Sequence, residues 1–247
     1  MTAFPSPGVC AVVPSTVSPA LDDALAAQTT PVADRSVAAG SWHDAVAAAP
    51  AAEWLWLLDG GVVPAHDALE RLLDSPGAGD GSLPAPALLA SKVVRPAGDL
   101  DRDRAPWPPL LDRTLVIAAA RQRLVSLRLA RWGSLLVRRD AAQEFGPPRA
   151  DYSSGAADLE WTARILRDRP GYLVPDSVVV RTAPEAGLTP DEVRDRIRMV
   201  RGDRWVAQEP VWFAFLLAVD LARAGRQRPT GLPRLLAGAA RPRPRGV

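Results

Sequence analysis

Trp54-Leu55-Trp56-Leu57-Leu58-Asp59-Gly60-Gly61 is the most informative stretch of the chain. Five large apolar residues in a row, closed by an Asp-Gly turn, predict a short buried strand. The helical pattern that follows, over Ala65–Leu73, carries Leu69, Leu72 and Leu73 on one face. A buried strand, a glycine turn and then an amphipathic helix form the repeating unit of an open α/β sheet. Ligands of such sheets bind off the carboxyl ends of the strands. Asp59 therefore stands where a carboxylate could hold a divalent ion against diphosphate oxygens, although Asp-Gly is also a common turn pair.

The same alternation extends both ways. Upstream, Val9–Val13 reads as a strand. Ser18-Pro19 reads as a helix cap and first-turn proline, with the helix running through Leu21, Ala24, Leu25 and Gln28. Arg35–Ala39 is a weaker strand, and Ser41 caps a helix over Trp42–Ala49. Downstream, Ser75–Ser82 is a glycine-rich loop, Ala87–Val94 a strand, and Pro96–Asp99 a turn. The charged, proline-rich run Asp101–Pro109 is predicted as a surface loop. Leu115–Ala130 is helical or mixed, Gly133–Arg138 a strand and Asp140–Phe145 a short helix. A helix follows over Leu159–Asp168, then two short strands, Tyr172–Val174 and Val178–Val180. From Pro190 the pattern is helical, over Asp191–Arg201 and Pro210–Ala224.

Composition narrows the chemistry. The 247 residues are 47% hydrophobic and 23% charged, which is ordinary for a globular chain. Cys10 is the single cysteine, so no internal disulfide or cysteine-built zinc site is available. His43 and His66 are the only histidines and read as surface residues, so any metal would sit on carboxylates and be hard, Mg or Mn. Lys92 is the only lysine among 30 basic residues, which reads as coding bias. A net charge of +2 implies no nucleic-acid partner. The longest apolar run, Val211–Val219, is too short to span a bilayer, and no export signal is evident. The expected location is cytoplasmic, with the helix around Trp212–Phe215 able to rest on the inner membrane face.

Two further clusters stand out. Asp158 and Glu160 follow the small-residue loop Ser153–Ala157 and precede Trp161. Asp158 reads either as a helix cap or as a general base for a hydroxyl. Glu160 and Arg164, four apart, can pair along the helix. Trp132, Gly133, Arg138 and Arg139 form the second cluster, where an arginine could bind diphosphate or simply line a solvated edge.

In this order the segments Ala52–Leu73, Ala90–Leu100, Arg131–Gly146 and Ala150–Arg181 resemble the family-2 inverting glycosyltransferases of the GT-A fold. The likeness is to actinobacterial rhamnosyl- and galactofuranosyl-transferase-like members, and Arg194–Val247 resembles their helical extension. The resemblance implies a mostly parallel, Rossmann-like mixed sheet flanked by helices. It implies a GT-A-like domain over 1–188, a helical extension over 189–240 and a basic tail over 241–247. It assigns Asp158 as catalytic base, with Glu160, Trp161, Trp132 and Gly133 on the acceptor side. Asp59, Arg138 and Arg181 fall to the donor diphosphate, Asp59 also as metal ligand. The metal motif departs from the family at Gly61, and Arg181 stands where a histidine is usual. The nucleotide-reading turn is replaced by Ala38–Ser41. The implied partners are a nucleotide-sugar and a cell-envelope glycan or lipid-linked acceptor. The alternative implied by the departures is an inactive member that binds an acceptor or steadies a partner glycosyltransferase.

Overall fold

The computed structural model describes residues 8–14, 17–38, 41–49, 52–75, 83–102, 104–109, 112–184, 187–227 and 231–240. The turn at 38–41, most of the loop at 75–82 and the tail at 241–247 lie largely or wholly outside them.

The apolar run forms strand β3 (Trp54–Leu58), buried at every position. It pairs in parallel with β1 (Val9–Pro14), which pairs in parallel with β2 (Asp34–Ala38). On its other side lies β7 (Ser134–Arg138), antiparallel to β3 and to β5 (Leu88–Val94). Beyond β5 comes parallel β8 (Gly171–Arg181), edged by antiparallel β4 (Val62–Pro64) and β6 (Val125–Ser126). The sheet order is β2-β1-β3-β7-β5-β8-β4, with β6 also on β8.

Alternation along β3 divides the core between the two faces. Leu55 and Leu57 pack with α2 (Trp42–Ala48), α5 (Arg139–Phe145) and α6 (Ser154–Asp168). Trp54, Trp56 and Leu58 pack with α1 (Pro19–Ala26), α3 (Ala68–Leu73) and α4 (Arg113–Arg121). The predicted caps are present: the Ser18 hydroxyl accepts from Leu21 N–H and that of Ser41 from Asp44 N–H. A buried polar chain crosses the sheet. Trp56 Nε1 donates to Ser134 Oγ (2.9 Å), which meets Ser91 Oγ (2.7 Å), then Ser177 Oγ (2.8 Å), which donates to the Ala68 carbonyl. It satisfies an indole N–H that burial would otherwise orphan.

Four readings are corrected. The helix expected from Ala65 begins at Ala68, because Val62–Pro64 pairs with β8. The two strands at 172–180 are one, with a register shift opposite Ser91 and Lys92. The helix expected at Leu159 begins at Ser154 behind the N-cap Ser153, so Asp158 lies inside it and is not its cap. Asp101 is fully buried, so the run at 101–109 is not simply a surface loop.

The C-terminal segment comprises α7 (Pro190–Val200), α8 (Glu209–Gln227) and α9 (Leu232–Ala240). Met199 and Phe213 join Leu129, Tyr152, Leu159 and Ala163 in a third core that fastens this segment to α6. Among the described residues no helix is long and apolar enough to cross a membrane.

Candidate functional site

The site is built at the carboxyl end of β3. Asp59 N–H donates to the Gly133 carbonyl (3.1 Å), which ties the end of β3 to the entry of β7. Asp59 Oδ2 pairs with Arg104 Nη2 at 2.6 Å. The other arm of the same guanidinium, Nη1, donates to the Trp132 carbonyl. The N–H of Trp132 donates to Asp158 Oδ2 (2.9 Å), and Leu159 N–H donates to Oδ1 (2.7 Å). One guanidinium and one tryptophan backbone therefore join Asp59 to Asp158, residues far apart in sequence. The Trp132 indole is stacked on Trp42 (4.8 Å between centroids) and tilted against Trp161 (5.9 Å), which holds this backbone in place.

Asp158 is only 2% exposed. Burial pushes its carboxyl above the usual carboxylate range, against the opposing pull of Arg131, of the Trp132 and Leu159 N–H groups and of Arg104. A carboxylate lifted in this way accepts a proton more readily.

Other proposed site residues do not join this group. Arg138 sits across from Trp54, at the far end of β3, because β7 runs antiparallel. Four residues of strand put it about 13 Å from the Asp59 end. It pairs with Asp140 (3.0 Å) and lies over the Trp54 ring. Glu160 is two residues from Asp158, about 200° around the helix, so it points to the opposite side. There it is fully buried between Arg204 (2.6 Å) and Arg164 (3.2 Å), the latter being the four-apart pair expected from sequence. Trp161 is a core residue whose Nε1 donates to the Gly146 carbonyl (2.7 Å). Arg181, at the end of β8, is buried against Asp101 (2.8 Å) and donates to the Pro184 carbonyl. His66 is exposed, whereas His43 is half-buried, its Nδ1 donating to the Pro148 carbonyl (2.8 Å).

The residues do not fit a metal. Among those described, no group of three or more His, Cys, Asp or Glu could hold an ion. A Cβ on Gly61 would lie 2.5 Å from Ala183 Cβ, so a side chain is excluded where the backbone now runs. Thr182 and Ala183 both donate their N–H to the Gly61 carbonyl, which pins the two segments together.

Arg104 and Glu192 are the participants that sequence reading missed. Arg104 was hidden in a run that reads as a solvated loop, although its position shortly after β5 was a usable signal. Glu192 reaches back from α7 to Arg131 (3.3 Å), in space that Gly155 leaves open: a Cβ there would lie 2.8 Å from Glu192 Oε2. Burial pushes the Glu192 carboxyl up to about 7; Arg131 opposes this, and Asp158 and Asp220 add to it. An acid raised by folding binds its proton more tightly folded than unfolded. Its contribution to stability therefore declines as pH rises from about 4.5 to about 7. Urea unfolding across this window should show the decline in the wild type and a flatter profile in Glu192→Gln. Superimposable profiles would contradict the assignment.

A cavity of about 380 Å³, lined by Pro84, Arg128, Leu166, Arg169, Pro170 and Glu209 among others, opens at the amino ends of β5 and β8, away from Asp59.

No protein-family profile and no curated sequence matches the chain. Among solved structures it is similar to the mannosyltransferase PcManGT from Pyrobaculum calidifontis in complex with GDP-Man and Mn2+. That match has 16% identity and a TM-score of 0.50, and covers 95% of this chain and 79% of that one. It is similar to GalNAc-T7 with UDP, GalNAc and Mn2+, at 12% identity and a TM-score of 0.54, covering 78% of this chain and 48% of that one. It is also similar to S. aureus TarS, at 12% identity and a TM-score of 0.55, covering 91% of this chain and 45% of that one. The chain thus spans about four-fifths of the first and less than half of the other two. At such identities the likeness concerns the fold alone. With its mainly parallel sheet flanked by helices, the chain has the GT-A-like fold of these glycosyltransferases.

Proposed function

We propose that the protein is a family-2-like glycosyltransferase, moving a sugar from a nucleotide-sugar donor to a cell-envelope glycan or lipid-linked acceptor with inversion. The observation that carries this reading is the linkage of Asp59, at the carboxyl end of β3, to the buried base candidate Asp158 through Arg104 and Trp132. In the reaction, Asp158 takes the proton of the acceptor hydroxyl. The hydroxyl oxygen attacks the anomeric carbon from the face opposite the leaving group. The bond from that carbon to the diphosphate oxygen breaks, and its electron pair leaves on the nucleoside diphosphate. Each carboxylate oxygen of Asp158 has two acceptor sites, so the N–H groups of Trp132 and Leu159 leave acceptor capacity for a hydroxyl.

The reading includes peripheral contact with the inner membrane face from the cytoplasm; α8, which exposes Val211, Trp212, Phe215 and Val219 along one stripe ahead of Arg223 and Arg226, supports the membrane contact.

The deep burial of Asp158 and the occupation of Asp59 by an internal cation favour a second reading. In it the protein is an inactive GT-A-like subunit that binds an acceptor or a partner transferase. Incubating the purified protein with a panel of nucleotide-sugars, with and without glycan acceptors, separates the two. Release of nucleoside diphosphate coupled to acceptor labelling is expected. Folded protein that neither turns over nor binds any nucleotide would overturn the transferase reading in favour of the second.

A further inference from the structure

The diphosphate that leaves in such a transfer carries charge that the site has to meet with a cation. Two GT-A-like neighbours were solved with Mn2+. Here, among the described residues, no second and third His, Cys, Asp or Glu stand with Asp59 to hold an ion. The Asp59 carboxylate already holds a guanidinium, Gly61 is pressed against Ala183, and Arg181 is engaged by Asp101. Arg181, held by Asp101 and only 8% exposed, is too enclosed to meet a diphosphate in place of a metal.

We infer that Arg104 is the resident cation of this site, and that it receives the diphosphate of a nucleotide without a divalent metal. The inference rests on the transferase reading for the identity of its ligand. Four features support it. Arg104 is anchored twice, on Asp59 and on the Trp132 carbonyl, so its plane is set before any ligand arrives. These two contacts use two of the five N–H donors of a guanidinium, which leaves three for phosphate oxygens. The pair is only partly buried, with the Arg104 side chain 20% and the Asp59 side chain 31% exposed, so a ligand can reach it. Asp101 and Arg104 act from one short segment over the strand ends, Arg104 N–H donating to the Asp101 carbonyl (3.1 Å). Asp101 neutralises Arg181 while Arg104 is presented at Asp59. Asp59 then serves to aim a guanidinium rather than to hold an ion.

In the displacement, the electron pair released when the bond from anomeric carbon to diphosphate oxygen breaks stays on that oxygen, beside the Arg104 charge. The acceptor proton goes to Asp158, and no further reactant is needed.

The test uses the whole chain, with UDP and GDP as probes. Calorimetric affinity for whichever nucleotide binds is expected to be the same in EDTA and in Mn2+. Protein alone is expected to leave the electron paramagnetic resonance signal of free Mn2+ undiminished. Arg104→Ala should weaken nucleotide binding roughly 10- to 100-fold, the scale of losing charged hydrogen bonds. Arg104→Lys should restore only part, since an ammonium lacks the planar fork. The lysine variant and the wild-type metal titration keep the test decisive should the alanine variant fold poorly. Nucleotide binding that requires Mn2+, with Mn2+ uptake abolished by Asp59→Asn, would overturn the inference and leave the transferase reading intact. So would full nucleotide affinity in Arg104→Ala. Failure to bind these two and every other nucleotide of the donor panel, under any condition, would instead strike the transferase reading itself, and the inference with it.

Discussion

Replacing Asp158 by asparagine is expected to lower sugar transfer by about 10²- to 10⁴-fold, the usual contribution of a positioned general base. Asparagine keeps the shape and removes the basicity. It also disturbs the hydrogen bonds. Both carboxylate oxygens accept from backbone N–H groups, those of Trp132 and Leu159. The amide has one oxygen, so one N–H would face the NH2 group, at a cost of about 1–3 kcal/mol. Rates should therefore be measured well below the melting transition of the variant, with a melting curve beside each assay. Because burial raises the Asp158 carboxyl, the wild-type rate should climb with pH through a region above the usual carboxylate range, as the base loses its proton. The sign for stability is the reverse. A raised acid favours the fold when protonated, so this contribution fades as pH rises through the same region. Transfer at the wild-type rate by a folded Asp158→Asn protein would exclude Asp158 as the base.

Arg128→Ala is expected to destabilise the protein by about 3–5 kcal/mol, the cost of breaking a buried ion pair by removing one partner. Arg128 is buried between the α/β core and the C-terminal helices. Its Nε donates to Glu209 Oε1 (2.8 Å), Nη1 to the Ala163 carbonyl on α6 (2.7 Å) and Nη2 to the Arg204 carbonyl (2.5 Å). The guanidinium also lies over the Trp205 ring, 5.3 Å from its centroid. Truncation takes a donor from two carbonyls and leaves the buried Glu209 carboxylate without its cation, with only the Val206 N–H still donating to Oε2. Glu209→Ala removes the other partner, and the double variant should cost clearly less than the sum of the two singles. Urea unfolding of the four proteins measures this. Additive losses, or a loss below about 1 kcal/mol for Arg128→Ala, would mean that the pair does not brace the helices. The brace acts beside the third core, in which Met199 of α7 and Phe213 of α8 pack against Leu159 and Ala163 of α6.

Much of the architecture could be read from local pattern. The run at Trp54–Leu58, the caps at Ser18 and Ser41 and the helical C-terminal segment each depend on neighbours within a few residues, so their signals survive in one dimension. The strand Val62–Pro64 was missed because three residues carry too little pattern, and only pairing with β8 defines them. Glu160 was placed beside Asp158 by the family resemblance, although helical geometry alone sends the two side chains to opposite sides.

The sequence by itself determined the order of elements, the alternation that gives each face of the sheet its core, and a carboxylate at the end of β3. The tertiary structure decided which cation meets that carboxylate. Inserting β7 antiparallel beside β3 sends Arg138 to the wrong end of the sheet and brings Trp132 to the right one. The fold sets Arg104 on Asp59, 45 residues away in the chain, and Asp101 on Arg181. Periodicity records which side of an element is apolar. It holds no record of which charges meet across the fold, because that pairing is set by strand order and by the desolvation that each buried charge must have answered.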